Sequence, residues 1–183
     1  MNRNAISLFS SSGIGDLGLQ ANGIKTVIAC EIIRERMNLF QNNYPDAMCF
    51  CDDIWNVEKD IINYYNANYQ EPPFLILATP PCQGMSSNGK MLSDYRKGLR
   101  PKYDERNRLI IPAIHIIKTL QPEWIIFENV SNMGNTLIYD ENDELINIIE
   151  YIHRELGDDY VGEPKVIDCA DYGVPQHRVR LIT

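Results

Sequence analysis

Cys82 is the residue whose setting points most directly to chemistry. It follows an apolar run, Phe74-Leu75-Ile76-Leu77, which ends at Ala78-Thr79-Pro80-Pro81. Proline fixes its own φ, pushes the residue before it toward extended geometry and cannot join a helix interior. The thiol is therefore expected on a stiffened turn at the mouth of a strand, where open α/β sheets present nucleophiles. A lone cysteine is as readily a small buried hydrophobe, and Cys30, Cys49, Cys51 and Cys169 read that way. Glu128, in Phe127-Glu128-Asn129-Val130, could serve acid–base work. Arg178 and Arg180 lie two residues apart on one strand face. Each alone has a plainer reading, as a strand-end acid capped by Asn129 or as surface charge.

A second cluster suits a nucleotide-like ligand. Ile6-Ser7-Leu8-Phe9 runs into Ser10-Ser11-Ser12-Gly13-Ile14-Gly15 and then a helix. Small residues let a ligand approach the backbone, and a helix start offers unpaired N–H groups. The second strand ends in Glu31 and the third is followed by Asp53, acids suited to ribose hydroxyls and an adenine amino group. A glycine-rich turn or one strand-end acid is commonplace. Three consecutive strand ends so equipped are not.

Strands and helices must alternate to position these groups. Strands are expected over residues 5–10, 26–30, 47–51, 74–78, 124–127, 165–169 and 179–183, and helices over 16–22 and 33–43, the latter ended by Tyr44-Pro45. Leu109, Ala113, Ile116, Ile117 and Leu120 recur at helical spacing, with Pro112 implying a kink or a late start. Leu145, Ile148, Ile149, Ile152 and Leu156 make one apolar helix face. The order implies an α/β, Rossmann-like, doubly wound and mostly parallel sheet with right-handed crossovers. Residues 86–106 read as a polar loop of about twenty residues, and loops beyond roughly 15 are usually functional or mobile.

Composition sets bounds. A chain of 183 residues with 44% hydrophobic and 23% charged residues supports one core of an ordinary globular protein. Five cysteines without regular spacing point to reduced thiols and a cytoplasmic setting, with no metal site expected. There is no basic-then-apolar leader and no apolar run near the roughly 20 residues that span a bilayer. A net charge of −8 speaks against a nucleic-acid partner. Residues 90–108, however, carry Lys90, Arg96, Lys97, Arg100, Lys102, Arg106 and Arg108 against Asp94, Asp104 and Glu105. That local surplus beside Cys82 could meet phosphates, or it is simply a solvated basic loop.

In sequence order these segments resemble the cytosine-specific carbon-5 DNA methyltransferases, over nearly the whole chain. Leu8-Phe9-Ser10…Gly13 resembles the family's first S-adenosylmethionine loop, Glu31-Ile32 its ribose and adenine contact, and Asp53-Ile54 its third cofactor motif. Pro81-Cys82-Gln83-Gly84-Met85-Ser86 resembles the nucleophile motif, Arg106-Asn107-Arg108-Leu109 the fifth, and Glu128-Asn129-Val130 the Glu-Asn-Val motif. Gly134-Asn135-Thr136 matches a further loop signature, and Gln176-His177-Arg178-Val179-Arg180 the Gln-x-Arg-x-Arg strand. The resemblance implies S-adenosyl-L-methionine as cofactor and S-adenosyl-L-homocysteine as product, with Phe9, Ser11, Gly13, Glu31, Ile32, Asp53, Ile54, Pro80 and Leu109 around them. Cys82, Glu128, Arg178 and Arg180 would be catalytic, and Gln83, Ser86, Ser87 and Asn129 would face double-stranded DNA. It implies a bacterial or phage-encoded restriction–modification enzyme.

By the same resemblance, the Cys82 thiolate would add to carbon 6 of cytosine, making carbon 5 enamine-like and able to take a methyl group. Glu128 would engage ring nitrogen 3 and the exocyclic amine, and Arg180 the base carbonyl, while Arg178 orders the catalytic loop or backbone. The base would have to be flipped out of the duplex, at a cost of a few kcal/mol. Ser86 would hold a flanking phosphate.

Two residues depart from the pattern. Ser11 stands where the family carries the first glycine of Phe-x-Gly-x-Gly, and Ser7 where it carries an aspartate. If position 11 needs φ > 0, serine costs on the order of 1 kcal/mol. The family also continues into a target-recognition domain and a last motif. Residues 1–183 are therefore expected to be an incomplete cofactor-binding and catalytic domain, as a fragment or as one subunit of a split enzyme, and inactive alone. Two other readings stay open: methylation of cytosine in tRNA, and a non-catalytic subunit that binds S-adenosylmethionine or serves assembly.

Overall fold

The computed structural model describes residues 3–82, 85, 97 and 104–183. The chain divides into two compact units, Met1–Thr79 with Pro112–Ile126, and Pro80–Ile111 with Phe127–Thr183. In the first, strand β1 (Asn4–Leu8) is buried along its whole length and pairs in parallel with both β2 (Lys25–Cys30) and β4 (Leu75–Ala78). Strand β2 pairs in parallel with β3 (Met48–Phe50). The order is β3-β2-β1-β4-β5, and β5 (Trp124–Val130) begins in this unit. Strands covered on both faces tend to read as unbroken apolar runs, as β4 does, whereas β1 buries Asn4 and Ser7 along with its apolar residues. The strand order reverses between β1 and β4, and ligands of doubly wound sheets bind at the carboxyl ends of such a pair.

The helices follow from periodicity and caps. Helix α1 (Ile14–Ala21) starts at Gly13 and buries Asp16 and Leu19, and Leu19 packs with Ala5, Leu75 and Leu77. Helix α2 (Arg34–Asn43) places Met37 and Phe40 against Ala29 and Ala47. Phe40 is fully buried, which stabilises by roughly 1.5–3 kcal/mol. Helix α3 (Ile54–Asn68) had no counterpart in the sequence reading. Asp53 caps it by accepting the Trp55 N–H, and Ile54, Val57, Ile61 and Tyr65 form its buried stripe. Pro112 is the third residue of α4 (Ile110–Leu120), inside the first turn where proline is tolerated, so the late start holds.

In the second unit, the carboxyl half of β5 pairs antiparallel with β9 (Val179–Ile182), and β9 antiparallel with β8 (Lys165–Asp168). The parallel expectation thus holds for β1 to β4, and the last two strands reverse direction. Strands β6 (Leu137–Tyr139) and β7 (Leu145–Asn147) form a separate hairpin. Leu145, expected on a helix face, therefore lies in a strand. Helix α5 (Ile148–Leu156) starts only after Asn147, whose side chain accepts the N–H groups of Ile149 and Glu150. The remaining 3₁₀ turns are Glu105–Leu109, Ser131–Asn135 and Cys169–Tyr172. No described helix is long and apolar enough to cross a membrane.

Candidate functional site

The loop after β1 is built on left-handed residues. Phe9, Ser11 and Gly13 have φ of 62, 50 and 81°. Alternation of this kind turns successive N–H groups toward one concave side, a geometry that suits anionic and polar ligands. Non-glycine residues at positive φ store strain, which clusters at ligand sites. The conformation is held from both neighbouring strands. The Ser10 N–H donates to the Cys30 carbonyl at 3.0 Å, and the Thr79 hydroxyl, just past β4, donates to the Phe9 carbonyl at 3.1 Å.

Glu31, at the end of β2, is the anchor of this loop. It is 6% exposed, and its carboxylate accepts the Ser11 N–H at 3.0 Å and the Ile33 N–H at 2.9 Å. A carboxylate has about four acceptor sites, so two remain for ribose hydroxyls. Ile32 beside it is 62% exposed, an apolar surface suited to a base. The Glu31 N–H bonds the Phe50 carbonyl, which brings the ends of β2 and β3 together. Asp53 is partly committed as the α3 cap, and the Ile54 side chain is buried. These residues fit an adenosine-type cofactor.

Ser11 at φ 50° meets the condition stated above for a strained serine. Ser11→Gly is expected to raise stability by about 0.5 kcal/mol, since relief of left-handed strain is partly offset by glycine's greater unfolded-state entropy. Urea unfolding measures this, and a decrease would show that the serine hydroxyl contributes more than the strain costs.

Ser7 has acquired its own partner. Its hydroxyl donates to Asp16 at 3.0 Å, and the Thr26 hydroxyl donates to the other carboxylate oxygen at 2.7 Å. Burial pushes the Asp16 carboxyl above its ordinary value, against the two hydroxyl bonds that lower it. A raised folded pKa favours the native state below the unfolded value near 3.8, an advantage lost as pH rises through the folded value. An aspartate at position 7 would set a second buried carboxylate against the first. Ser7→Asp is therefore expected to cost about 3 kcal/mol at neutral pH, less in mild acid where the pair shares a proton. The swap Ser7→Asp with Asp16→Ser should recover most of it, as chemical denaturation at two pH values would reveal; no recovery would refute the exchange.

In the second unit, Cys82 is exposed and in no disulfide, whereas Cys30 is buried and its thiol pushed up to about 12, chiefly by burial. The turn carrying Cys82 is fastened at both ends. Asn129 on β5 donates to the buried Pro80 carbonyl at 2.8 Å, and its own side-chain oxygen accepts the Val130 N–H. The Met85 N–H bonds the Cys82 carbonyl at 2.9 Å, and Asn132 donates to the carbonyl of the fully buried Met85. Asn129 thus acts on the backbone of the turn. Asn132 and Thr79 are fastenings that sequence reasoning missed, since neither carries a signal separable from its neighbours.

Glu128, next to Asn129, meets Arg180: Arg180 Nε donates to the Glu128 carboxylate at 3.0 Å. The register explains the pairing, because Val130 faces Arg180 and Glu128 faces Ile182, making Glu128 and Arg180 diagonal neighbours within reach of long side chains. Arg180 also donates from Nη1 to the Val179 carbonyl, so two of its five donors are engaged in these bonds. Arg178 is not brought to this pair. It is exposed, its N–H donates to Asp168, and its carbonyl accepts from Cys169. Asp168 also bonds His177 at 2.9 Å, and that bond, with the Ala170 and Arg178 N–H groups, holds its carboxyl below the usual range. Leu109 is half-buried at the end of its 3₁₀ turn. Gln83, Ser86, Ser87 and the basic positions 90, 96, 100 and 102 lie outside the described residues.

A strained loop with a strand-end acid at the switch point of a doubly wound sheet defines an α/β protein built for an adenosine-type cofactor; the second unit adds a presented thiol and a carboxylate–guanidinium pair. The chain belongs to the C-5 cytosine-specific DNA methylase family, whose model matches residues 3–183. It is 36% identical over 179 residues to the Type II methyltransferase M1.HgaI of Avibacterium volantium, covering 97% of this chain and 48% of that one. It is 30% identical to the Type II methyltransferase M.AquIA of Picosynechococcus sp., covering 99% and 71%. Among solved structures, a protein assigned as a DNA modification methyltransferase encoded within an E. coli prophage matches at TM-score 0.73 and 26% identity, over 98% of this chain and 45% of that one. The chain spans about half the length of M1.HgaI and of the prophage protein. The methyl donor of this family is S-adenosylmethionine.

Proposed function

We propose that these residues form the cofactor-binding and catalytic part of a DNA cytosine-5 methyltransferase from a bacterial or phage-encoded restriction–modification system, acting in the cytoplasm. The observation that carries this reading is the exposed Cys82 on a turn fastened by Asn129, whose neighbour Glu128 is paired with Arg180. The bound cofactor supplies an electrophilic methyl group. Cys82 adds as thiolate to carbon 6 of a flipped-out cytosine, and carbon 5 gains the methyl group. Loss of the carbon-5 proton to a base then restores the double bond and expels the thiolate. Glu128 holds ring nitrogen 3 and the exocyclic amine, and Arg180 turns spare donors to the base carbonyl. Arg178, exposed and apart from that pair, orders loop backbone or DNA. Phe9, Ser11, Gly13, Glu31, Ile32 and Asp53 hold the cofactor, with Ile54, Pro80 and Leu109 shaping its surroundings. Gln83, Ser86 and Ser87 face the DNA.

Target recognition and full activity reside in polypeptide beyond these residues, in the same chain or a second one. The family relatives' greater length supports this. So do large apolar side chains left at the surface: Ile14 and Leu17 in the first unit, and Val166, Tyr172, Val174 and Val179 in the second. The test supplies that polypeptide, from the adjoining coding sequence, and follows radiolabelled methyl transfer to duplex DNA and to tRNA. Formation of 5-methylcytosine in duplex DNA is expected. Transfer to tRNA alone would reassign the substrate, and cofactor binding without transfer to either would favour a non-catalytic subunit.

A further inference from the structure

We propose that Tyr44 is a positioning residue of the cofactor loop, fixing through its hydroxyl the peptide plane between Gly13 and Ile14. The inference rests on the reading that this loop receives S-adenosylmethionine. Tyr44 follows the last residue of α2, and its Oη donates to the Gly13 carbonyl at 2.9 Å, across 31 positions of sequence. Gly13 is the residue from which α1 departs, with φ 81°. A trans peptide is planar, with its N–H directed opposite its C=O. Holding the Gly13 carbonyl on the Tyr44 side therefore directs the Ile14 N–H to the other side. That N–H belongs to the first turn of a helix, whose amides have no intrahelical partner and are free for a ligand.

The tyrosine is itself immobilised. Its ring packs on Phe40, with centroids 4.6 Å apart, and its N–H and C=O bond Phe40 and Ala47. The fit to the loop is close: a Cβ at position 13 would come within 2.5 Å of the Tyr44 ring and 2.8 Å of the Phe40 ring. Glycine is thus demanded twice, by its left-handed φ and by these two rings. Burial and the neighbouring Asp16 carboxylate both raise the Tyr44 pKa, so the hydroxyl keeps its proton, and with it the donor role, at working pH. Tyr44 also lines a cavity of about 350 Å³ with Gln20, Lys25, Asn43 and Asp46.

The variant Tyr44→Phe keeps the ring and deletes only the hydroxyl. Calorimetry with S-adenosylmethionine, on this chain with the adjoining polypeptide supplied, is expected to show about a five-fold weaker Kd, the usual weight of one hydrogen bond, with a melting temperature lowered by no more than about 4 °C. Amide hydrogen exchange without cofactor should quicken at Ser11, Gly13 and Ile14 and stay unchanged in β1 and β4. An unchanged Kd with unchanged exchange would overturn the proposal. So would a Kd loss accompanied by faster exchange throughout β1 and β4, which is general destabilisation. If the unmutated protein, with the adjoining polypeptide present, fails to bind the cofactor, the reading of the loop as its site is refuted. Tyr44 is then decided by exchange alone: faster exchange confined to the loop sustains the positioning role, and unchanged exchange ends it.

Discussion

Cys82→Ala is expected to abolish methyl transfer and covalent trapping while leaving the fold intact. The bonds that shape its turn come from elsewhere: Asn129 to the Pro80 carbonyl, the Met85 N–H to the Cys82 carbonyl, and Asn132 to the Met85 carbonyl. Alanine keeps each of them, and because the thiol is exposed, its removal opens no cavity. Stability should therefore move by less than about 0.5 kcal/mol. Activity should fall by more than about a thousand-fold, since nothing else in the turn can add to carbon 6. Mass spectrometry reads the trapping arm directly. In a preparation that includes the rest of the relatives' length, duplex DNA carrying 5-fluorocytosine should form an adduct with the parent enzyme, because fluorine cannot leave as a proton does. Adduct formation by the alanine variant would remove Cys82 from the mechanism.

The parts of this molecule legible in sequence are those whose determinants are local. Strand β4 is an apolar run ending at paired prolines, and β1 is a mixed stretch, Asn4-Ala5-Ile6-Ser7-Leu8, that runs into serines and glycine. That pattern points to Cys82, whereas the strain at Ser11, which has φ 50°, is legible only through the resemblance to the family's glycine loop. Where a residue has two uses, local reading favoured the wrong one. Asp53 reads in sequence as a ligand group, which hides its role as the cap of α3, although Ile54, Val57, Ile61 and Tyr65 mark the helix's buried face. The apolar spacing of the helix continues back into Leu145, a strand residue, and only Asn147, a strong N-cap residue, marks the true start. Strand direction in β8 and β9 has no local signature at all. The same holds for the partnership of Ser7 with Asp16, nine positions apart, and of Tyr44 with Gly13. Such contacts exist only once the fold has closed.

Glu128→Gln is expected to lower the rate of methyl transfer by about 10²–10⁴-fold, the range for loss of an acid–base group, with little change in stability. The two effects separate because glutamine leaves neither partner stranded. The side chains are partly buried, 18% exposed for Arg180 and 30% for Glu128, so a substitution that left one of them unpaired would cost about 1–3 kcal/mol. Glutamine preserves the size of the side chain and one acceptor for the Arg180 Nε, but it cannot deliver a proton to ring nitrogen 3. Arg180→Leu removes the other half and should leave a carboxylate without its guanidinium. If the two groups act on one base, the double variant should be scarcely slower than the worse single variant, as for residues that work as a unit. Independent structural roles would instead give additive losses in both rate and stability. A measured cycle showing additivity, or a glutamine variant within about three-fold of the parent rate, would dissolve the pair as a catalytic device and return it to the ordinary category of a cross-strand surface contact.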